Sequence, residues 1–327
     1  MKNIFNMRRK FLQTSILLVL CMIFSSIAAL SQNDTLSFLH ITDAHLMFNL
    51  ENYDPQIVHH REYTRLYKEA NTMFAEFMET IPDNTGSDMI IASGDVIDFY
   101  DAKTSEGNTL AYQIELFTRY LDRYHYPFFM TLGNHEIFSY RWGEERVIPD
   151  QLKAGEAKAA WIRNMDVFRD GTYYSRTFEV GSANYRLIFL DNSYYQFNKE
   201  ENVVNPHIDK PQLHWLKSEL AASEANNQNV IILMHIPFSD KSVQPESENE
   251  LYKTVTDSSV VKLILSGHHH RDVVKCFPAK GGGEVIQVET SALVNSSKNW
   301  RLVQLTENQL SVSFTGKIES EIVLPLK

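Results

Sequence analysis

Seven side chains that can bind a divalent metal ion occur in five short clusters along the chain. They comprise four histidines, two aspartates and one asparagine, and no cysteine is among them. Imidazole and oxygen ligands suit several first-row ions, whereas thiolates would select zinc or copper(I). The ligand types therefore favour a hydrolytic metal site. In chain order the clusters are Asp43-Ala44-His45, Gly94-Asp95, Gly133-Asn134-His135-Glu136, His235 and Gly267-His268-His269-His270.

A pair of divalent ions about 3.5–4 Å apart can hold a hydroxide between them and bind the oxygens of an in-line displacement at phosphorus. Such a pair needs one ligand that contacts both ions, and a carboxylate has two oxygens for that purpose. Asp95 is the candidate for this bridging ligand. A dinuclear site also serves amide hydrolysis, so hydrolysis of a non-phosphate bond stays open as an alternative function.

Each cluster follows a short apolar segment that predicts a β-strand. In open α/β sheets, ligands bind outside the carboxyl ends of the strands, so five such strand ends predict a single crevice. The glycines at positions 94, 133 and 267 fit tight turns where the backbone leaves a strand. The five apolar segments are residues 36–42, 89–92, 127–132, 230–234 and 260–265.

Taken singly, the clusters have simpler interpretations. Asp43 and His45 are compatible with a turn and a solvated histidine, and glycine followed by Asp95 is an ordinary turn pair. His235 is compatible with a core histidine at a strand end, and the run 268–270 with a surface metal-binding tract. These interpretations do not explain five clusters that each follow an apolar segment.

As a set, the clusters resemble the motifs of the calcineurin-like metallophosphoesterases over residues 35–292. The resemblance implies two divalent metal ions, and the ligand set leaves their identity open among manganese, iron and zinc. The first ion would be held by Asp43, His45, Asp95 and His270. The second ion would be held by Asp95, Asn134, His235 and His268.

The resemblance also implies roles for two further histidines and a fold. His135 would face the substrate as a hydrogen-bond or proton donor to the leaving oxygen, and His269 would not be a ligand. The implied fold is of the α/β class, a four-layer α-β-β-α sandwich of two mixed β-sheets with the metal site at the C-terminal edge of the strands.

Asp98 occupies the position, three residues after the bridging aspartate, that distinguishes the subfamilies. Purple acid phosphatases have tyrosine there and the DNA-repair nucleases of the superfamily have histidine, so both are disfavoured. Serine/threonine protein phosphatases have aspartate followed by a phosphate-binding arginine, but Phe99 and Tyr100 follow here. We expect Asp98 to orient His135 and raise its pKa. The alternative is a helix N-cap after the strand.

Three residues are candidates for substrate contact. Arg271 follows the last histidine cluster, and Tyr140 and Arg141 follow the cluster at 133–136. Their alternatives are an exposed or acid-paired arginine and an aromatic ring that packs a loop. A helix is predicted at about 62–80.

Residues 1–31 have the pattern of a secretory signal peptide. Four basic residues precede an apolar segment at 11–24, and small residues follow it. The segment is short for a membrane span, so we expect cleavage before Gln32, a secreted or periplasmic protein and no stable membrane insertion afterwards. An uncleaved membrane anchor is the alternative.

Residues 32–327 are predicted to form one domain, with core motifs at 35–292 and closing strands at 296–327. Cleavage leaves one cysteine, Cys276, and lowers the formal charge from −10 to −14 because four basic residues and no acidic one are removed. So acidic a chain disfavours nucleic acid as a partner. We expect a small anionic phosphoester as substrate, and the sequence indicates no protein partner.

The pattern therefore predicts a secreted phosphohydrolase with two metal ions. It would cleave a phosphodiester or phosphomonoester by attack of a metal-bridging hydroxide, with His135 assisting the leaving group. The alternative is a non-enzymatic binding protein on the same scaffold. A scaffold that had lost its catalytic site should lack at least one metal ligand, whereas all seven ligand positions are occupied.

Overall fold

The computed structural model describes residues 34–194, 197–198, 203–204, 206–238, 249–280 and 282–326. The predicted signal peptide lies outside these residues. The described helices are α1 (Pro55–His59), α2 (Ala70–Thr85), α3 (Gln113–Leu121), α4 (Ala154–Asn164), α5 (Lys210–Ala225) and α6 (Glu250–Thr256). None of the helices in these ranges is long and apolar enough to cross a membrane.

Two six-stranded mixed sheets form the centre of the fold. The first, in spatial order, contains β18 (Ser320–Pro325), β17 (Gln309–Ser313), β16 (Arg301–Thr306), β1 (Thr35–Ile41), β2 (Met89–Ala92) and β5 (Phe128–Met130). The second contains β14 (Val273–Pro278), β15 (Glu284–Glu289), β13 (Val261–Ser266), β12 (Gln228–Leu233), β9 (Ala183–Phe189) and β8 (Tyr174–Val180). Strands β1, β2 and β5 run parallel in the first sheet, and β9, β12, β13 and β15 run parallel in the second.

The remaining described strands form two smaller sheets. A four-stranded sheet contains β4 (Thr109–Leu110), β3 (Asp101–Lys103), β6 (Ser139–Gly143) and β7 (Arg146–Asp150). A two-stranded sheet contains β10 (Phe197–Asn198) and β11 (Val203–Val204).

Strand β9 shows how the second sheet is buried on both faces. Leu187 and Phe189 belong to the same core cluster as Phe38 of β1, so this face meets the first sheet. Ile188, which points the opposite way along the pleat, packs in a separate cluster with Leu216 of α5. Helices α2, α3 and α4 contribute to the cluster of the first sheet. The layers are therefore helix, sheet, sheet and helix, which confirms the predicted architecture.

The predicted helix at 62–80 is wrong at its start. Helix α1 begins after Asp54, whose side chain accepts the N–H of Gln56, and continues into a π-helical turn at His60–Thr64. Leu66 then has a left-handed backbone conformation (φ 64°), which ends the helical path before α2 begins. The spacing of apolar residues does not reveal this break, so the sequence did not predict it.

Candidate metal centre

The clusters of potential ligands lie where the central strands of the two sheets end. Asp43 and His45 follow β1, and Asp95 follows the adjacent strand β2. Asn134 follows β5, and His235 follows β12 of the second sheet. His268 and His270 follow β13, which lies beside β12, so both sheets deliver donor groups to one place.

Asp43, His45 and His270 form the first group of donor atoms. Nε2 of His270 lies 3.1 Å from Oδ1 of Asp43, and Nε2 of His45 lies 3.7 Å from the same oxygen. The two Nε2 atoms are 3.1 Å apart. Donors that each bind an ion at about 2.0–2.2 Å are separated by about 3–3.6 Å, so this group fits a metal ion. Oδ1 of Asp43 is buried and accepts no hydrogen bond of good geometry from the part of the chain that the structure describes.

Asp95, His235 and His268 form a second group. Nε2 of His235 lies 3.0 Å from Oδ2 of Asp95 and 3.3 Å from Nδ1 of His268. Asn134 is buried beside them, and its Oδ1 has no hydrogen-bond partner among the described residues. An unpartnered buried amide oxygen is costly unless an ion or water satisfies it. This group also fits a metal ion.

Hydrogen-bond acceptors hold Nδ1 of two histidines and direct Nε2 of each toward a donor group. Nδ1 of His235 lies 2.8 Å from the carbonyl oxygen of Ser93, which can only accept, so Nδ1 carries the hydrogen and Nε2 faces Asp95. Nδ1 of His45 similarly lies 3.1 Å from the Asp98 carboxylate, so Nε2 faces the first group. Partners of this kind fix the tautomer of metal-binding histidines.

Asp95 lies between the two groups. It is a member of the second group and also of a set of mutually close donors with His45 and His135. Its Oδ1 accepts the backbone N–H of His135 at 2.8 Å, and Oδ2 lies near His235. Burial would raise the pKa of Asp95, but the neighbouring His235 holds it well below the usual value. An ionised carboxylate in this position can be shared by two ions.

Backbone strain is concentrated in these loops. A left-handed conformation is uncommon for residues other than glycine and costs about 1–3 kcal/mol, and such residues cluster at functional sites. The residues with this conformation are Asp43 (φ 53°), His45 (φ 48°), Asp95 (φ 52°), His268 (φ 71°) and His270 (φ 56°). The loops also approach closely, because a Cβ at Gly133 would overlap the carboxylate of Asp95.

Glu136 connects two of the loops and was assigned no role from the sequence. Its fully buried carboxylate accepts the N–H groups of Asp95 and Val96 at 2.7 Å and that of Gly133 at 2.6 Å. Burial raises the pKa of Glu136 to about 7. The side chain thereby fixes the loop of Asp95 to the loop of Asn134.

The contacts of Asp98 differ from those expected. Its carbonyl oxygen, rather than its carboxylate, lies 2.7 Å from Nδ1 of His135, while the nearest carboxylate oxygen is 3.5 Å from that nitrogen. The carboxylate instead contacts His45 and Arg61. The expected rise in the pKa of His135 is wrong, because burial lowers it. The helix N-cap alternative is wrong as well, since strand β3 follows.

The three candidates for substrate contact lie in different surroundings. Tyr140 is buried, and its hydroxyl lies 2.9 Å from Nδ1 of His135. Arg141 is exposed on β6, outside the residues that line the cavity at the site. Arg271 is exposed, and its Nε lies 3.5 Å from Glu289, which is the acid-paired alternative. Glu289 also lies 2.9 Å from Nδ1 of His269.

A cavity of about 590 Å³ opens over the donor groups. Asn134, His135 and His268 form part of its floor. Its walls include residues that had no motif in the sequence: Arg65, Tyr67, Phe138, Pro149, Asp150 and Gln151.

The fold and the site define a dinuclear metal-binding protein of the α/β class. The chain belongs to the calcineurin-like phosphoesterase family, whose sequence model matches residues 36–272. The crystal structure of a dimetal phosphatase from Danio rerio aligns over 89% of this chain and 99% of that one, with a TM-score of 0.55 and 13% identity. This likeness confirms the fold class.

Two curated relatives have lower coverage. Sphingomyelinase phosphodiesterase C of Dictyostelium discoideum is 25% identical over 179 residues, which are 51% of this chain and 39% of that protein. The manganese-dependent ADP-ribose/CDP-alcohol diphosphatase of Homo sapiens is 22% identical over 218 residues, which are 55% of this chain and 62% of that protein. The match therefore spans less than two thirds of either relative.

Proposed function

We propose that this protein is a metal-dependent phosphohydrolase that cleaves a phosphodiester or diphosphate bond, with His135 assisting the leaving oxygen. The observation that carries the proposal is the placement of His135. Its ring lines the cavity, and its Nε2 lies 3.9 Å from Oδ2 of Asp95, the carboxylate between the two donor groups.

The ligand roles follow from the two donor groups. We assign one ion to Asp43, His45, Asp95 and His270, and the other to Asp95, Asn134, His235 and His268. Two bound ions supply Lewis acidity at phosphorus and activate water. The mutual distances within each group and the unpartnered oxygens of Asp43 and Asn134 support this assignment.

The contacts of His135 support a role toward the leaving group. The carbonyl of Asp98 can only accept, so Nδ1 of His135 carries a hydrogen and donates it there. That leaves Nε2 on the side of Asp95 and the cavity, where it can donate to a leaving oxygen when the ring is protonated.

The cavity favours a substrate with two substituents on phosphorus over a small monoester. It extends beyond the donor groups to Arg65, Asp150 and Gln151. The side-chain nitrogen of Gln151 is buried without a hydrogen-bond partner among the described residues, so the wall offers an unused donor. Both relatives are named for cleaving a diester or a diphosphate.

A lipid phosphodiester is a second candidate substrate, because two exposed leucines are each next in sequence to a residue that lines the cavity. Leu66 is 75% exposed and stands between Arg65 and Tyr67, which both line the cavity. Leu152 is 91% exposed and follows Gln151. Consecutive Cα atoms are about 3.8 Å apart, so the backbone of both leucines lies near the cavity. Burying a leucine contributes roughly 1.5–3 kcal/mol, which a substrate with an apolar tail would gain.

We further propose that residues 1–31 direct export and that residues 32–327 form one mature domain. The basic start and the apolar segment at 11–24 support this. Terminal sequencing of protein produced in a secreting host checks it. An N-terminus at Gln32 is expected, whereas Met1 in a membrane-retained protein would favour the anchor.

Hydrolysis of bis-p-nitrophenyl phosphate and p-nitrophenyl phosphate tests the enzymatic proposal. The mature chain is stripped of metal and reloaded with manganese, zinc or iron(II), and Asp95→Asn serves as the control. We expect metal-dependent turnover, faster with the diester, that the Asp95→Asn variant lacks. Two ions bound per chain without turnover of either ester would favour a binding protein or a non-phosphate bond.

A further inference from the structure

We propose that Arg61 is a positioning residue that holds a metal-binding histidine and His135 in place through Asp98. The inference rests on the metal role proposed for His45. The sequence lacks an arginine directly after Asp98, and the guanidinium that meets this carboxylate comes from 37 residues upstream.

Arg61 is buried and is not among the residues that line the cavity. The exposed fraction of Arg61 is only 5%. Nε lies 2.7 Å from Oδ2 of Asp98 and Nη2 lies 2.6 Å from Oδ1, so both carboxylate oxygens are engaged. The guanidinium lies over the rings of Tyr67 and Tyr140, at 4.9 Å and 5.1 Å from their centroids. A buried fork held in this way does not contact a phosphate in the cavity.

One branch from this ion pair reaches the first metal group. The Oδ1 atom of Asp98 that Arg61 engages also lies 3.1 Å from Nδ1 of His45. Tyr67, which packs on Arg61, stacks on the His45 ring with centroids 4.4 Å apart and an interplanar angle of 23°. The His45 ring is therefore fixed at one edge and on one face.

A second branch reaches His135. The carbonyl of Asp98 and the hydroxyl of Tyr140 both lie within 2.9 Å of Nδ1 of His135. Arg61 contacts the carboxylate of Asp98 and the ring of Tyr140. The same guanidinium thus supports a proposed ligand and the proposed leaving-group donor.

The chemistry of the pair explains why removal of the cation should matter. A buried carboxylate that loses its cation partner is destabilised where it stands and changes its contacts. That change weakens the hydrogen bond that sets the tautomer of His45. Outer partners of metal-binding histidines typically change metal affinity by about 10–100-fold when they are replaced.

Mn²⁺ affinity, measured by calorimetry on the apoprotein, tests the inference without depending on turnover. We expect Arg61→Met to weaken one of the two Mn²⁺ affinities roughly 10–100-fold. Arg61→Lys should recover part of it, because lysine keeps the charge but loses the two-point contact. The matched control is Arg186→Met, which breaks an ion pair with Glu219 at 2.6 Å on strand β9. It should leave Mn²⁺ affinity within about twofold.

A double substitution keeps the test valid if Arg61→Met does not fold. Asp98→Asn with Arg61→Met removes both charges and leaves no unpaired buried ion. If Arg61 acts through Asp98, the double variant should bind Mn²⁺ as weakly as Asp98→Asn alone. Wild-type Mn²⁺ affinity in the double variant would overturn the inference. So would a loss of binding free energy in the double variant that equals the sum of the losses in the two single variants.

Discussion

Nε2 of His45 lies 3.1 Å from Nε2 of His270, although the two residues are 225 positions apart in the chain. Only one hydrogen fits between two ring nitrogens at this distance, so the pair is suited to share a cation. The buried Oδ1 of Asp43 completes the group. The arrangement is the strongest geometric support for metal binding at the junction of the two sheets.

Metal affinity should rise with pH. Burial lowers the pKa of His235, but the Asp95 carboxylate outweighs it and raises the pKa to about 9 in the metal-free protein. A proton must leave this ring before an ion binds, so affinity should increase about tenfold per pH unit for each proton released. Titration of the apoprotein with Mn²⁺ between pH 6 and 8 measures this slope. An affinity independent of pH would show that the ring is already neutral.

The stability of the apoprotein should change with pH in the opposite direction. A histidine whose pKa is raised to about 9 stabilises the folded state below the unfolded value of about 6.5, and this stabilisation is lost as the pH rises toward 9. Urea unfolding of the metal-free chain at pH 6.5 and 8.5 should show lower stability at pH 8.5. Greater stability at pH 8.5 would contradict the assignment of the charge to His235.

Replacing Glu136 by glutamine should destabilise the protein by about 2–4 kcal/mol. The carboxylate accepts three short hydrogen bonds from backbone N–H groups in a buried site. In glutamine, the NH₂ group would replace one carboxylate oxygen and would face backbone N–H groups that need an acceptor. Urea unfolding measures the loss. The control is Glu115→Gln at an exposed ion pair, which should change stability by less than about 1 kcal/mol. Equal effects of the two substitutions would contradict the role of Glu136.

Tyr140→Phe should lower kcat without changing metal affinity. The substitution removes the hydroxyl at 2.9 Å from Nδ1 of His135 and leaves the ring that packs on Arg61. A hydrogen bond contributes about 0.5–1.5 kcal/mol, so kcat should fall roughly 2–10-fold. Steady-state kinetics with bis-p-nitrophenyl phosphate at saturating Mn²⁺ measure the effect. A raised KM with unchanged kcat would instead indicate direct contact of Tyr140 with the substrate.

Leu66 and Leu152 should matter only for substrates that carry an apolar group. Leu66→Ser with Leu152→Ser should slow hydrolysis of a phosphodiester lipid in phosphatidylcholine vesicles by at least about fivefold, because a contact worth about 1 kcal/mol or more is lost. Hydrolysis of soluble bis-p-nitrophenyl phosphate should not change. Ile318→Ser is the matched control, since Ile318 is 68% exposed and neither of its neighbours in sequence lines the cavity. Equal vesicle activity in both variants would exclude the lipid candidate.

The metal-binding candidates could be located from the sequence because each follows a continuous apolar segment. Asp95 and His235 lie three and two positions beyond buried strands, and parallel strands place their carboxyl ends together. Local sequence therefore carried the information for these positions. The two-sheet architecture came from the resemblance rather than from spacing, and the order of the strands was not predicted.

The surroundings of these residues could not be predicted, because they depend on contacts between distant segments. Arg61 lies in an irregular π-helical turn that no apolar periodicity marks, and its partner Asp98 is in another loop. The pKa of His135 was expected to rise beside a carboxylate, but burial lowers it. Burial of a loop residue follows from packing of the whole site, which a motif does not encode.

Electron paramagnetic resonance of the Mn²⁺-loaded mature chain tests the central claim most directly. If Asp95 joins two ions, the protein should bind two Mn²⁺ per chain and give an exchange-coupled signal, and Asp95→Asn should abolish the coupling. One ion per chain, or two uncoupled ions in the unsubstituted protein, would contradict a site built around a shared carboxylate.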